Sequence, residues 1–317
     1  MAITPTLSKT LAPIPLDAFM EKAARTVDRG DSLSALALAD DLAALSMNET
    51  LVKDAIEAQI DAFLQGTRQI SYTPQSIVLG GGDGYYVRAN IWTPPRLSGA
   101  IKEQEEKIFS YRLAHDHNFA FLTAGHFGSG YRTEIFEYDP DQIVGFIGEE
   151  VDLTLLEQTQ LPKGKVMFYR KRRDIHIQHP PEELSISLNL MLVSDESQNS
   201  EQYFFDTERR IISGIPEAAY VYRRASLATL LGEIGDHASI PLLEQLLDDQ
   251  PNRRVRISAM DSIHRLSNKF DLTESVTRRM LRDPDRLVCA AARQLLETGQ
   301  LDERVSLSSA ASVYKRD

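Results

Sequence analysis

Residues 115–123 read His-Asp-His-Asn-Phe-Ala-Phe-Leu-Thr, and residues 173–176 read Arg-Asp-Ile-His. Alternate residues of a β-strand point to the same face, so His115 and His117 are expected to present two imidazoles side by side. A third imidazole, that of His176, precedes a later strand at a distance that returns the chain around a barrel. The sequence therefore predicts one mononuclear metal site built from His115, His117 and His176.

Imidazole nitrogens suit iron, nickel, copper or zinc. Three neutral ligands leave a divalent ion with its full charge and with open positions for substrate and for dioxygen or water. Two alternatives stay open. His179, directly before Pro180-Pro181, competes with His176 as the third ligand, and the histidines could instead be packed in a core or on a turn.

The segment around these histidines has the pattern of a β domain. From about residue 71 to 216 the apolar residues alternate, and Gly, Pro and Asp turns interrupt many short runs, which favours an antiparallel barrel or sandwich. The run 80–84, Gly-Gly-Gly-Asp-Gly, is a turn signal without the spacing of a phosphate loop. The predicted strands are Tyr85–Trp92, Lys107–Leu113, Phe119–Thr123, Arg132–Tyr138, Val151–Leu156, Lys165–Arg170, Ser185–Val193 and Gln202–Asp206.

Helical periodicity flanks this segment on both sides. Residues 1–70 carry apolar stripes at helical spacing, which predicts a small bundle packed against the barrel. In residues 217–317, the stretch 223–231 has similar counterparts 32 residues later at 255–263 and again at 287–295. This spacing resembles HEAT-type repeats, which implies a surface for a protein partner or for self-association; a lid is the alternative.

Composition excludes several classes of function. The 317 residues carry a net charge of −11, which disfavours nucleic-acid binding, and the basic run Arg170–Arg173 is the local exception. That run fits a phosphate patch, a solvated strand end or a rim that orients a small anion. A single cysteine excludes a disulfide framework or a Cys-rich zinc site. No run approaches the roughly 18 apolar residues of a membrane span, so we expect a cytoplasmic protein without a membrane partner.

The stretches 115–136 and 169–191 together resemble the cupin fold and, within it, the cysteine-dioxygenase-like branch. In both, a His-x-His strand is followed by a third histidine, a Pro-containing turn and a Ser-Leu-x-Leu strand. The resemblance covers residues 85–207 and implies an antiparallel double-stranded β-helix barrel in the middle of an α+β multidomain chain. It also implies a facial three-histidine iron(II) site that binds a small substrate and dioxygen side by side.

Two departures from this family weaken the transfer of its chemistry. Thiol dioxygenases usually place a Ser-His-Tyr set beside the iron, whereas this chain keeps Ser187 but has Asn189 and Met191 at the next two positions. The usual cupin glutamate after His-x-His is also missing, because residues 118–123 contain no carboxylate. We therefore expect the metal ligands to transfer better than the substrate.

Three further residues are candidates for the site. Arg88 lies on the strand before the metal strand, where the family places an arginine that clamps the substrate carboxylate, a role that suits its planar fork. Arg112 is the alternative, although strand parity directs it outward. His126, in the glycine-rich stretch 125–130, and Tyr169 are candidate catalytic groups that could hold or donate a proton.

The sequence thus predicts an iron(II)-dependent cupin oxygenase that acts on a small carboxylate-bearing molecule such as an amino acid or thiol acid. A mechanism using 2-oxoglutarate is disfavoured, because it normally pairs His-x-Asp/Glu with a distant histidine. The alternatives are a non-catalytic metal-binding sensor or scaffold, and a metal-dependent isomerase or hydrolase on the same fold.

Overall fold

The structure is a computed structural model that describes residues 3–8, 12–66, 73, 75–95, 99–194, 197, 199–216, 219–269, 275–302 and 304–305. The chain divides into two compact units, one of residues 1–140 with 152–198 and one of residues 141–151 with 199–317. Compactness thus groups the last part of the predicted β segment with the C-terminal helices, whereas the sequence pattern placed a boundary at residue 216.

Two antiparallel sheets form the first unit. One has the strand order β1-β2-β9-β4-β7, and the other contains the order β3-β8-β5-β6. The strands are β1 (Ser76–Gly82), β2 (Tyr85–Trp92), β3 (Ala114–His115), β4 (Phe121–Phe127), β5 (Arg132–Glu137), β6 (Thr154–Gln160), β7 (Val166–Tyr169), β8 (Asp174–Gln178) and β9 (Ser185–Leu192).

The chain alternates between these two sheets as it advances. Strands β2, β4, β7 and β9 belong to the five-stranded sheet, while β3, β5, β6 and β8 belong to the other. Strands β8 and β9 pair with strands that precede them by many residues, so the two halves of the β segment interleave. This winding is typical of a β-sandwich of the jelly-roll type, as the sequence pattern predicted.

The five-stranded sheet is covered on both faces. Val87, Leu122, Leu188 and Leu190 pack on the face shared with the N-terminal helices, and all four are fully buried. Those helices are α1 (Leu16–Thr26), a 3₁₀ segment (Ser32–Leu38), α2 (Ala39–Ser46) and α3 (Leu51–Leu64). The opposite face carries an aromatic cluster between the two sheets. Side chains of this interior alternate in sequence with those under the helices.

The predicted strand over Lys107–Leu113 is wrong. Helix α4 spans Ala100–Ile108, and Ser110 and Arg112 have φ values of 54° and 58°. Extended strands do not contain positive φ angles, so the chain turns here before it enters β3. The Gly-rich run also differs from the prediction, because Gly80–Gly82 lie in β1 and the turn is confined to Asp83 and Gly84.

The second unit contains a hairpin and a series of helices. The hairpin pairs β10 (Phe204–Asp206) with β11 (Ile211–Gly214). The helices are α5 (Ala219–Ile234), α6 (Ile240–Asp249), α7 (Arg253–Lys269), α8 (Ser275–Met280) and α9 (Arg286–Thr298). The three similar stretches lie in α5, α7 and α9, which alternate with shorter helices. Their assignment to HEAT repeats and a partner-binding role stays a prediction. Among the described helices, none is long and apolar enough to cross a membrane.

Candidate metal centre

Strand pairing places the three histidines together inside the first unit. His115, the last residue of β3, lies directly opposite His176 of β8 in the antiparallel register. His117 follows beyond the end of β3, but its ring still comes within 5.0 Å of the ring of His115. The predicted alternation therefore holds through the short extended segment that continues this strand.

The Nε2 atoms of the three rings converge. Nε2 of His176 is 3.0 Å from Nε2 of His117 and 3.1 Å from Nε2 of His115. Such separations fit nitrogens that share one ion at about 2.1 Å each with ligand angles near a right angle. Among the described residues, no carboxylate or thiolate joins this group. The donor set thus suits a divalent transition metal held by three neutral imidazoles.

Each imidazole is held in its neutral form. The backbone carbonyl of Leu113 accepts a hydrogen bond from Nδ1 of His115 at 2.8 Å, which leaves the lone pair on Nε2. Burial lowers the pKa of His115. Burial, and then the neighbouring rings, lower the pKa values of His117 and His176 well below the usual range. Neutral nitrogens are the form that binds a metal.

The segment that carries His115 and His117 is fixed from its opposite side. Asp116, which lies between them, is fully buried and accepts a hydrogen bond of 2.6 Å from the hydroxyl of Tyr138. The backbone NH of Arg172 donates to the carbonyl oxygen of His117 at 2.7 Å. These contacts hold the short extended segment against β5 and the turn after β7, so the two rings keep their orientation.

We expect Tyr138→Phe to lower the free energy of unfolding by about 1.5–3 kcal/mol, because it removes a hydrogen bond to a buried carboxylate. Urea denaturation followed by circular dichroism measures the change. Tyr86→Phe is the matched control, since the hydroxyl of Tyr86 makes no hydrogen bond to a described residue. A Tyr138 variant as stable as the control would show that this contact does not fix the segment.

Several polar atoms line the space between the sheets without a partner. Among the described residues, the buried atoms Arg88 Nε and Asn90 Oδ1 have no hydrogen bond, and the buried hydroxyls of Thr133 and Tyr169 have no partner other than each other. All four belong to interior-facing positions of β2, β5 and β7. A buried polar atom without a partner costs free energy, so a cluster of them indicates a place for a polar ligand or water.

Arg88 brings a positive charge into the space between the two sheets. It pairs in register with Asn189 of β9, and its guanidinium lies near enough to His117 to contribute to the lowered pKa of that ring. Burial lowers the pKa of Arg88 itself. Within the described part of the chain it forms no ion pair. A buried guanidinium of this kind is suited to an incoming anion.

Tyr169 lies beside the third histidine. Its ring stacks on Phe121 with centroids 4.7 Å apart and meets the ring of His176 at 4.9 Å. Burial raises the pKa of Tyr169 well above the usual range, so the phenol stays protonated. Phe119 stacks on His117 at 4.6 Å, which makes the wall around the histidines largely aromatic.

The strand with the departures from the thiol-dioxygenase pattern faces the same interior. Asn189 accepts a hydrogen bond of 2.6 Å from the hydroxyl of Thr123, and Trp92 donates its Nε1–H to Ser187 at 3.0 Å. Tyr131 packs on Trp92, with centroids 4.4 Å apart. Burial raises the pKa of Tyr131, while hydrogen bonds with Thr123 and Ser187 partly oppose this. Asn189 is thus part of a hydrogen-bonded network.

Other candidates lie away from the three rings. His126 is in β4 and points under the N-terminal helices, where its Nδ1 donates to the carbonyl of Ser46 at 2.9 Å. His179 pairs with Glu134 at 2.7 Å, so His176 and not His179 joins the cluster. Arg112 forms a surface ion pair with Glu106. The structure therefore does not bring His126 to the catalytic position that the sequence suggested.

A cavity of about 560 Å³ opens next to the aromatic wall. Phe119, which stacks on His117, also lines this cavity, together with Arg29 and Lys171. Two other members of the basic run are engaged in ion pairs, because Arg170 contacts Asp174 at 2.5 Å and Arg173 contacts a glutamate, while Arg172 does not line this cavity. Lys171 is thus the member of the run that faces a cavity.

Sequence reasoning missed two interior groups, Thr133 and Gln178. Gln178 follows His176 by two residues and therefore shares its face of β8. The sequence pattern predicts that His176 precedes a strand, and strand parity does not extend to residues outside a predicted strand. A strand assignment over 174–178 would have identified Gln178, since Ile-His-Ile-Gln alternates.

No protein-family model and no curated protein match this chain. Among solved structures, it is similar to DMSP lyases at 12% identity, covering 46% of this chain and 67% of that chain with a TM-score of 0.25. It is similar to a hydroquinone 1,2-dioxygenase bound to Cd²⁺ and 4-hydroxybenzonitrile at 13% identity, with coverages of 42% and 71% and a TM-score of 0.26.

A cupin domain from Bordetella pertussis matches at 10% identity, covering 39% of this chain and 98% of that domain with a TM-score of 0.21. Similarity at this level does not place the chain in any of these families. The fold and the centre are therefore defined by the strand order and distances of the chain itself.

Proposed function

We propose that this chain is a cupin-type, non-heme iron(II)-dependent oxygenase that acts on a small substrate with a carboxylate group. The observation that carries the proposal is the convergence of three imidazole Nε2 atoms, with that of His176 at 3.0 and 3.1 Å from the other two, in an interior that also holds Arg88, which forms no ion pair with a described residue. His115, His117 and His176 would hold the ion. When bound, it would supply an electrophilic centre that brings substrate and dioxygen together.

The residues around the centre support substrate binding. The guanidinium of Arg88 offers a planar pair of donors for a carboxylate, and its burial makes that pairing strong. The phenol of Tyr169 stays neutral and has only the hydroxyl of Thr133 as a polar neighbour among the described residues, so it can donate a hydrogen bond or a proton to a substrate. Phe119 and Phe121 pack on the ring of His117 and make its surroundings apolar.

Anaerobic reconstitution with iron(II) tests the proposal. We expect one iron per chain by metal analysis, followed by oxygen consumption when small amino acids, thiol acids and hydroxy acids are offered in turn. A chain that binds no iron, cobalt or zinc would overturn the proposal. A chain that binds iron but turns over no substrate would support the non-catalytic metal-binding sensor or scaffold. Iron binding with substrate turnover but without oxygen consumption would support an isomerase or hydrolase.

Arg88→Ala should weaken binding of the carboxylate substrate about tenfold to a hundredfold, because a charge-assisted, two-point contact is lost. Iron content should stay at the wild-type level. The fluorescence of Trp92, the single tryptophan of the chain, reports binding, since its ring packs in the wall of the same interior.

Arg112→Ala is the matched control for this change, because Arg112 lies on the surface in an ion pair with Glu106. We expect the control to bind substrate as the wild type does. Equal affinity in the Arg88 and Arg112 variants would remove Arg88 from the substrate site.

A further inference from the structure

Gln178 has an unusual contact with the third histidine. Its side chain is buried, and its amide nitrogen lies 2.9 Å from Nδ1 and 3.2 Å from Nε2 of His176. The in-plane lone-pair directions of the two ring nitrogens diverge, so one atom cannot lie along both. The amide of Gln178 therefore lies over the face of the ring.

This position leaves the edge of His176 available. An N–H group over an aromatic face makes a weak favourable contact, and it does not occupy the in-plane lone pair of Nε2. The ring can thus bind an ion through Nε2 while the amide stays above it. Gln178 lies close to the point where the three Nε2 atoms converge, without being one of the ligands.

The surroundings of Gln178 contain further polar groups. Thr133 lies directly opposite Gln178 in the pairing of β5 with β8, and its buried hydroxyl faces the phenol of Tyr169, which lies beside the ring of His176. Neither hydroxyl bonds to any other described residue. Arg88 belongs to the other sheet. Two polar regions therefore adjoin the histidines, one cationic and one neutral.

We propose that the side-chain amide of Gln178 donates a hydrogen bond to the small ligand bound at the centre. This role rests on the proposed function. It specifies the substrate class further, as a small anion with a second acceptor atom, such as a hydroxyl, thiol or carbonyl group. The anionic end binds Arg88, and the second acceptor atom lies next to Gln178.

Azide binding to the cobalt(II)-loaded protein tests this role without turnover. The visible absorption of cobalt(II) reports both metal binding and the arrival of azide, a small anion that accepts hydrogen bonds. For Gln178→Leu we expect an azide dissociation constant about 3- to 10-fold higher than in the wild type, as the loss of one hydrogen bond implies. Cobalt affinity should change less than about twofold, because the amide lies over the face of His176 and makes no in-plane hydrogen bond that would orient this ligand.

Gln178→Glu provides a second variant of equal size. Its carboxylate has no N–H to donate and repels the anion, so azide should bind more weakly than in the leucine variant, while cobalt affinity rises. Gln158→Leu, at an exposed position of β6, is the matched control and should behave as the wild type.

Unchanged azide affinity in Gln178→Leu would overturn the inference. A tenfold loss of cobalt affinity in that variant would also overturn it, since Gln178 would then support the metal and not its ligand. A wild-type chain that binds no cobalt would instead remove the proposed function, and with it this role of Gln178. The failures of the two proposals are therefore distinguishable.

Discussion

Replacing His176 with alanine is expected to lower the iron(II) affinity of the chain by more than about a hundredfold, since loss of a residue that merely supports a ligand already costs 10- to 100-fold. His176 lies between the other two ligands, because its Nε2 atom is within 3.1 Å of Nε2 of His115 and of Nε2 of His117. Without it, two ligands from one short segment remain, and they leave most of the ion's coordination to water.

Metal analysis after anaerobic reconstitution measures this loss, and titration with iron(II) gives the dissociation constant. His179→Ala is a close control, because His179 lies three residues further along and pairs with Glu134. His126→Ala is a second control, since this histidine points under the N-terminal helices. Both should retain one iron per chain.

Circular dichroism separates loss of metal from loss of fold in these variants. If His176→Ala binds iron as the wild type does, or if His179→Ala loses it, the ligand set is wrong. A change that is confined to His176 and is repeated by His117→Ala would support the three-histidine centre and the function proposed for it.

The approach of His115 to His117 was predictable from sequence because it depends on strand periodicity alone. The alternation of His115 and His117 places both rings on one side, and this survives even though His117 lies beyond the end of β3. Which later histidine completes the set was not predictable, because it depends on the register of β3 against β8. That register puts His176 opposite His115 and directs His179 to Glu134.

The location of His126 in a strand was not predicted, because glycine occurs both in turns and inside strands where another segment approaches closely. Gly125, Gly128 and Gly130 together predicted a turn, but Gly125 lies inside β4. A Cβ atom there would lie 2.1 Å from the carbonyl oxygen of Pro162, so this glycine permits the close approach of another part of the chain. Only the other two have the positive φ angles of a turn. Sequence alone does not separate these uses.

The helix α4 was missed for a different reason. Residues 100–108, Ala-Ile-Lys-Glu-Gln-Glu-Glu-Lys-Ile, consist mostly of good helix formers, but the residues that follow are aromatic and fit a strand. The local pattern therefore predicts one strand from Lys107. In the structure, Phe109 and Tyr111 fill the aromatic cluster between the sheets from a turn. Tertiary packing, which the local pattern does not contain, decides this segment.

The second unit depends on a buried ionic cluster whose partners are about 50 residues apart. Both carboxylate oxygens of Glu201 are engaged, at 2.7 Å by Nε of Arg254 and at 2.7 Å by Nη2 of Arg253. The two arginines begin α7, and the guanidinium of Arg254 is almost fully buried. Cations at a helix N-terminus are unfavourable, so the anion of Glu201 compensates both the charges and the helix dipole.

We expect Glu201→Gln to lower the free energy of unfolding by about 3–5 kcal/mol, because it leaves the buried Arg254 without its counter-ion and leaves Arg253 with only the more distant Asp285, at 3.6 Å. Urea unfolding of the full chain measures this loss. Glu297→Gln, at an exposed position of α9, is the matched control and should be neutral. Near-equal stability of the two variants would show that solvent or other groups already compensate Arg253 and Arg254.

The pH dependence of stability provides the second readout of this cluster. Burial alone would raise the pKa of Glu201, but the guanidinium groups of Arg254 and Arg253 outweigh it and lower the pKa from 4.5 to about 2. The unfolded chain therefore takes up a proton at a higher pH than the folded one. The stabilisation is complete above pH 4.5 and is lost as the pH falls toward 2, by about 3 kcal/mol for a shift of this size.

Glu201→Gln should remove this part of the acid sensitivity, so that the wild type and the variant converge in stability at low pH. Curves that stay parallel from neutral pH to pH 2 would show that the carboxylate charge is not what holds α7 in place.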